Sequence, residues 1–233
     1  MKVFRVLLFV CCSGGLLEQA IAQSTPKSAS NLLPRYGNVA KLPELLIVDQ
    51  ELLTYCDQHF PGRREAAKAF AARGWDYMRA EDPITAMKRF NQAWLLDSTN
   101  ADSFWGFGIL MGQRQQYDES LGYFQTAYRL DRSNKRLLVD IATTRWQLYL
   151  AKNDAALLDG VIQNLQEFLA YSMDVKTNTQ AYVEAYSKLS AAYTIKQDYL
   201  NAWKCVDLAE SILPGTSKGQ PWLRRLQKEA SRK

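Results

Sequence analysis

A set of residues that recurs every 34 positions constrains this chain more than any other feature. Four small or aromatic positions reappear one period later, namely Gly74 and Gly108, Ala86 and Ser120, Phe90 and Phe124, and Ala93 and Ala127. A period of this length is typical of stacked structural repeats, in which no single unit can bury its apolar face alone. The chain therefore predicts an array of similar units packed side by side.

Each period reads as two antiparallel helices joined by a turn. Small residues stand where two helices would cross, and large apolar residues flank them at helical spacing. Asp82 and Pro83 supply an N-cap followed by proline at the first helical position, while Asn100 and Asn134 are placed to cap the helices that open the next units. With only 12 glycines and 7 prolines in 233 residues, the composition also favours an all-α fold.

The third unit departs from the period. Ser120 and Ala202, which occupy equivalent positions, are 82 residues apart where two periods would give 68. The positions of the turns assign four of the additional residues to the first helix of this unit and ten to its second. We therefore expect repeats at about 67–100 and 101–134, a degenerate repeat at 135–182 and a last repeat at 183–216, with a polar loop at 174–179.

The repeats form an array over 61–216, and four flanking segments are predicted around it. Residues 1–22 have the features of a secretory signal peptide, with Lys2 and Arg5 before an apolar stretch and small residues at Ala20 and Ala22 before the cleavage point. Residues 23–43 would be a flexible leader, 44–60 a helix packed on the first repeat, and 217–233 a C-terminal capping helix. The chain is thus predicted to be exported to the periplasm or cell envelope.

A competing interpretation of the N-terminus is lipoprotein processing. Cys12 is followed by Ser-Gly-Gly, which resembles the tether after a lipidated cysteine, although Val10 and Cys11 break the pattern expected before it. Contact with a membrane is expected only if this modification occurs. Cys56 and Cys205 would remain in the mature chain, either as two buried thiols or as one disulfide.

The periodic residues resemble those of the tetratricopeptide repeat (TPR). Phe70, Gly74, Tyr77, Ala86, Phe90 and Ala93 match it in one unit, and residues 183–216 match it up to Pro214. The resemblance implies a right-handed superhelical solenoid whose first helices line a concave groove that binds a protein or peptide. By register, it places these residues in the groove: Lys68, Trp75, Met78, Arg79, Asp102, Trp105, Ile109, Gln113, Arg136, Val139 and Trp146.

Tryptophan and arginine dominate binding hot spots, which favours this face as the partner site. The alternative for each tryptophan is that it packs between neighbouring helices. Some relatives grip acidic C-terminal peptides with a basic and amide clamp, whose positions here hold Ala71, Trp75, Gly106, Arg136 and Asp140. Only Arg136 fits such a clamp. Within the second unit, Gly108 is predicted to lie where the two helices approach most closely, and Gly106 to lie outside that contact.

No chemical apparatus is visible in the sequence. His59 and Cys56 offer two potential ligands where structural zinc needs four, and paired acids such as Glu81 and Asp82 lie in predicted turns. We therefore expect no enzyme activity, catalytic residue, metal or cofactor. The formal charge of +5 is dispersed along the chain, which disfavours nucleic acid as a partner.

The predicted function is an exported scaffold or adaptor that binds a peptide or helix of another protein. The alternative is a lipid-anchored outer-membrane subunit of a secretion, pilus or barrel-assembly complex. The sequence leaves the partner's identity and the oligomeric state open.

Overall fold

The computed structural model describes residues 30–171, 175–218 and 220–230. Within these ranges the regular structure is entirely helical, with a short turn at Pro34–Gly37 followed by ten α-helices. They are α1 Pro43–His59, α2 Arg63–Arg79, α3 Pro83–Leu96, α4 Ala101–Gln113, α5 Tyr117–Leu130, α6 Arg136–Lys152, α7 Ala155–Ala170, α8 Val175–Ile195, α9 Tyr199–Ile212 and α10 Pro221–Glu229.

The helices pack as four successive antiparallel hairpins. These pair α2 with α3, α4 with α5, α6 with α7 and α8 with α9, and the second helix of each hairpin also contacts the first helix of the next. Helix α1 packs on α2 at one end, and α10 packs on α8 at the other. The predicted all-α array of TPR-like helix hairpins is therefore confirmed.

The turn inside each hairpin contains one residue in the left-handed conformation. These residues are Glu81, Gln115, Asn153 and Gln197, which follow one another at intervals of 34, 38 and 44. In the first, second and fourth turns, the next residue donates its N–H to the carbonyl five positions earlier, at 2.9 to 3.0 Å. This bond is the helix-ending motif that satisfies the last carbonyls of the first helix. The irregular intervals locate the additional residues of units three and four.

Side-chain caps begin several helices of the array, both first and second helices of the hairpins. Asp82 accepts the Thr85 N–H at 2.9 Å and Asn100 accepts the Ser103 N–H at 2.8 Å, which confirms both predicted caps. The cap predicted at Asn134 is wrong, because α6 begins one position later with Lys135 at its N-cap and no side-chain cap bond.

The contacts of Lys135 explain this shift. Its side chain is buried, donates to the Tyr128 hydroxyl at 3.0 Å, and lies 4.0 Å from the centre of the Tyr171 ring. These contacts fix Lys135 between α5 and the end of α7, so the start of α6 is set by packing and not by a polar cap.

The loop expected at 174–179 is wrong for the part that the structure describes. Helix α8 already begins at Val175, and Asn178 is its only residue reported with non-helical torsion angles (φ −120°). The Thr179 hydroxyl donates to the Val175 carbonyl at 3.0 Å, and Tyr182 packs on Phe168 with 5.2 Å between ring centres. The additional residues thus lengthen the first helix of the fourth hairpin, because Tyr182 draws this stretch onto α7.

The expected flexible leader also differs from the structure in its described part. Asn91 of α3, which is fully buried, donates to the Leu33 carbonyl at 2.9 Å, and Tyr36 packs beside Trp94 with 6.5 Å between ring centres. Residues 35–38 all have positive φ and form a left-handed turn. This segment is held against α3, on the outer side of the first hairpin.

Cys56 and Cys205, the cysteines within the described residues, are buried free thiols, so the disulfide between them is not formed. Cys56 lies in the cluster under α1, and Cys205 lies in the main core that runs through the later hairpins. Burial raises the pKa of Cys205 to about 11, which keeps the thiol protonated at neutral pH. Both cysteines therefore act as small core residues.

Candidate partner-binding groove

The first helices of the hairpins form one continuous side of the array. Helix α2 contacts α4, and α6 contacts α8, so these helices lie on the inside of its curve. We call the face formed by α2, α4, α6 and α8 the groove. Between α4 and α6 direct backbone contact is sparse, and two cavities lie along this part of the groove.

Two tryptophans bridge neighbouring first helices of the groove. Trp75 of α2 and Trp105 of α4 meet edge to face, with 4.9 Å between ring centres. Trp105 also donates its indole N–H to Asp140 Oδ2 of the following first helix at 2.8 Å. Trp75 lies near Asp102 of α4, and while burial raises the pKa of that carboxyl, Trp75 lowers it. Both rings are half-buried. They therefore pack between neighbouring helices, as the alternative interpretation expects, and part of each ring stays exposed.

The first cavity lies where α4 and α6 begin and has a volume of about 310 Å³. Arg64 and Lys68 line it from α2, and Trp105 and Asp102 line it from α4. Asp97 and Asp131 belong to the preceding turns, where each accepts bonds from a nearby hydroxyl and backbone N–H. Charges of both signs therefore surround this cavity.

The second cavity lies between α4, the start of α5 and the middle of α6, and has a volume of about 330 Å³. Its apolar wall includes Ile109 and Phe124. The polar lining consists of Gln113, Tyr117, Ser120, Asp140, Thr143, Thr144 and Gln147. Asp140 is the only ionisable carboxylate among these residues, and none of them is basic. The Trp105–Asp140 bond joins the linings of the two cavities.

The repeat itself explains why the second cavity exists. A side chain added at Gly106 would lie 2.4 Å from the Phe90 ring, and one added at Gly74 would lie 2.7 Å from it, so Phe90 is enclosed between two glycines. One period after Gly106 stands Asp140, and one period after Phe90 stands Phe124. Phe124 therefore has a glycine on one side only, at Gly108, where an added side chain would lie 2.5 Å away.

These contacts also test the predictions about the two glycines. The close approach at Gly108 is confirmed. The expectation that Gly106 lies outside the tight packing is wrong, because Gly106 meets the aromatic ring of the preceding hairpin and not its own partner helix.

Asp140 is the most perturbed acid of the groove. Burial raises its pKa to about 6, and the Trp105 hydrogen bond and the nearby Arg136 and Lys188 oppose this rise. Lys188 is itself paired with Glu184 at 2.7 Å, and Glu184 accepts from the Thr143 hydroxyl at 3.1 Å. Burial also raises the pKa of Asp102.

The structure brings only some of the predicted groove residues to the cavities. Lys68 and Trp105 line the first cavity, and Ile109 and Gln113 line the second. Arg79 is exposed and paired with Asp76 of its own helix. Met78 and Trp146 pack partly against the core, and Trp146 lies 6.0 Å from Tyr149 between ring centres. Arg136 is half-buried near Asp140, whereas Val139 is buried, so its placement in the groove is wrong.

Sequence reasoning missed the polar lining supplied by α6. From the sequence, Asp140 is predicted only at a clamp position, and no pattern predicts Thr143, Thr144 or Gln147 at a site. The available signal was the replacement of Gly106 by an acid one period later, because a charged residue at a close-packing position must be placed in a gap or paired.

Comparison with known proteins finds likeness among solved structures alone. No family model matches the chain, and no curated protein matches it. Among solved structures, the crystal structure of YrrB, described as a TPR protein with an unusual peptide-binding site, is 16% identical, with a TM-score of 0.45. The match covers 70% of this chain and 93% of that one.

Two further observations complete the description of the molecule. Among the described residues, none of the helices combines the length and apolar character needed to cross a bilayer. The same residues hold no cluster of three or more histidine, cysteine or acidic side chains suited to a metal ion. By its turn spacing and hairpin packing, the described part of the chain is an array of stacked antiparallel helix hairpins.

Proposed function

We propose that this protein is a binding scaffold that holds a segment of another protein in the groove between α4 and α6. The observation that carries the proposal is the second cavity, which combines an apolar wall with an array of side-chain amides, hydroxyls and one carboxylate. Small, mostly preformed cavities with a few polar groups are the usual form of a binding site, although about 330 Å³ is at the low end of their range. Such a volume suits one anchoring side chain of a larger partner.

Several groups in this cavity are free to bind. Gln113 is exposed at its rim, and the side chain of Gln147 is half-buried in its wall. A partner's backbone or side chains could exchange hydrogen bonds with these amides while an apolar stem covers Ile109. The proposal contains no chemical step, and the groove acts by shape and hydrogen bonding alone.

Site-specific crosslinking in the native cell tests this function. A photo-crosslinking amino acid at Gln113 should capture a discrete protein, whereas the same residue at Gln125, exposed on the outer helix α5, should not. Gln147→Tyr, which fills the cavity with a ring, should abolish capture from position 113 without lowering the melting temperature. The matched control is Gln163→Tyr on the exposed face of α7. Equal capture from positions 113 and 125 would contradict the proposal.

Export of the scaffold to the periplasm or cell envelope is a second part of the proposal. Its support is the sequence of residues 1–22, which lies outside the described residues. Intact mass of the mature protein should give Gln23 as its first residue. A mass showing acylated Cys11 or Cys12 would instead favour the alternative, a lipid-anchored subunit of an outer-membrane complex.

A further inference from the structure

The second cavity carries a charge that its own lining does not balance. Asp140 contributes a carboxylate, and the nine other lining residues contribute no basic group. Trp105 donates to one of its oxygens, Oδ2. Among the described contacts, the other oxygen, Oδ1, receives no hydrogen bond, and it is not among the fully enclosed polar atoms that lack a partner. Oδ1 is therefore not fully enclosed and accepts no hydrogen bond from the described residues.

The basic side chains near Asp140 are not paired with its carboxylate. Lys188 of α8 is bonded to Glu184, and Lys152 at the end of α6 is bonded to Asp118 at 2.7 Å. Arg136 lies one helical turn before Asp140 and influences its charge, but the described contacts include no ion pair between them. No charged side chain of α4 or α5 lines the cavity. No cation of the described residues is thus paired with the Asp140 carboxylate, and a cation from outside the chain can bind there.

We propose that the second cavity takes a lysine or arginine side chain from the partner segment, with its cationic head at Asp140. This inference rests on the proposed function and specifies its ligand. Long basic side chains have an apolar stem and a charged end, which suits a cavity with Ile109 and Phe124 on its wall and Asp140 beside them. Hydrogen bonds between a cation and a carboxylate are stronger than neutral ones, particularly away from bulk water.

The site would also be selective. Thr143, Thr144 and Gln147 can accept further N–H donors from the cationic head, while an acidic side chain would face Asp140 and be repelled. Burial raises the pKa of Asp140 because the nearby Arg136 and Lys188 do not offset its unfavourable effect on the charged form. A bound cation would stabilise that charge, and the groove would therefore prefer a basic segment to an acidic one.

The indole of Trp105 offers a direct probe of this site. Three small ligands with identical backbones, N-acetyl-lysine, N-acetyl-norleucine and N-acetyl-glutamate methylamides, can be titrated while the Trp105 indole N–H resonance is followed by NMR. The spectrum of Trp105→Phe identifies that resonance. We expect saturable shifts of this resonance with the lysine compound. The norleucine and glutamate compounds should bind at least about tenfold more weakly, because they cannot form the charge-assisted hydrogen bond.

Asp140→Asn is the decisive variant because asparagine can still accept the indole N–H while the charge is removed. It should abolish the preference for lysine over norleucine, whereas Glu65→Gln, which removes an exposed charge on α2, should not. Equal binding of lysine and norleucine compounds, a preference for glutamate, or an unchanged preference in Asp140→Asn would overturn the inference. If crosslinking from Gln113 still captured a partner in those cases, the scaffold function would stand without its basic ligand.

Discussion

The contact between the first and second hairpins and the contact between the second and third differ although both follow the same repeat. In the first, Phe90 lies between Gly74 and Gly106 and is fully buried, so α3 and α4 approach closely. In the second, Phe124 meets Gly108 on one side, and Asp140 replaces the other glycine. A cavity and a tryptophan–aspartate bond occupy the space that close packing fills one period earlier.

This difference shows how a repeat protein can acquire a site without changing its fold. The turns of the first and second hairpins keep the 34-residue interval, whereas the third hairpin begins without a side-chain cap and lies at a longer interval. The difference lies at the position of Gly106 and Asp140. With glycine there, an aromatic ring packs against the backbone of the next hairpin, and with aspartate a cavity with accessible polar groups lies between the hairpins. The second cavity is therefore a local exception to the repeat.

The largest effect should come from removing the two aromatic rings. Phe90→Ala is expected to lower the free energy of unfolding by about 3 to 5 kcal/mol, because the ring is enclosed on both sides and the cavity left behind cannot collapse. Phe124→Ala should cost less, because one side of its ring already borders a cavity. Chemical denaturation of both variants measures the difference, and equal losses would show that the two contacts are equally well packed.

A smaller effect is expected from adding one methyl group at Gly106. Gly106→Ala should destabilise the protein by about 1 to 3 kcal/mol, since the new atom would lie 2.4 Å from a ring that Gly74 prevents from moving away. The control is Gly122→Ala on α5, where an added side chain meets nothing within 4 Å. That control should be neutral or stabilise by up to about 1 kcal/mol through helix propensity. Similar melting temperatures for both variants would contradict the close packing.

The smallest effect concerns pH. The pKa of Asp140 is raised to about 6 in the folded protein from its ordinary value near 3.8, so the folded state binds this proton more tightly than the unfolded state. Its contribution to stability is therefore present below about pH 4 and is lost as pH rises through 6. We expect a loss on the order of 1 to 2 kcal/mol, reduced by solvent access through the cavity.

Asp140→Asn should remove this part of the pH dependence, and comparison with the wild type cancels the titration of the other acids. Such a comparison is needed because Asp57, Asp82 and Glu210 have lowered pKa values, which act in the opposite direction. Parallel stability curves for the two proteins between pH 4 and 7 would show that Asp140 is not buried in solution.

Most of the fold follows from local patterns in the sequence. The period, the caps at Asp82 and Asn100, and the spacing of the turns are set by residues within one hairpin, where local chemistry and packing agree. The wrong predictions concern segments whose conformation depends on contacts with residues distant in the sequence. Tyr182 packs on Phe168 and supports helix where the polar residues 175–179 suggested a loop, and Asn91 fixes a leader segment 58 residues earlier in the chain.

The groove could be predicted only in part, for the same reason. Register predicts Lys68, Trp105, Ile109 and Gln113 on the groove face, and in the structure these residues line the two cavities. It does not show that Trp105 is bonded to an aspartate on the next hairpin or that Val139 is buried, because both depend on how closely two units approach. That distance is set by paired residues such as Phe90 and Gly106, which belong to different repeats.

The uneven contacts between hairpins also bear on the cooperativity of unfolding. In a linear array, each unit is coupled only to its neighbours, and the free energy of each interface decides whether units unfold together. Phe90 is enclosed between hairpins one and two, whereas Phe124 borders the second cavity between hairpins two and three, and one continuous apolar core joins all four hairpins. The described array should therefore unfold as one unit, and a ligand bound in the second cavity would strengthen the contact between hairpins two and three.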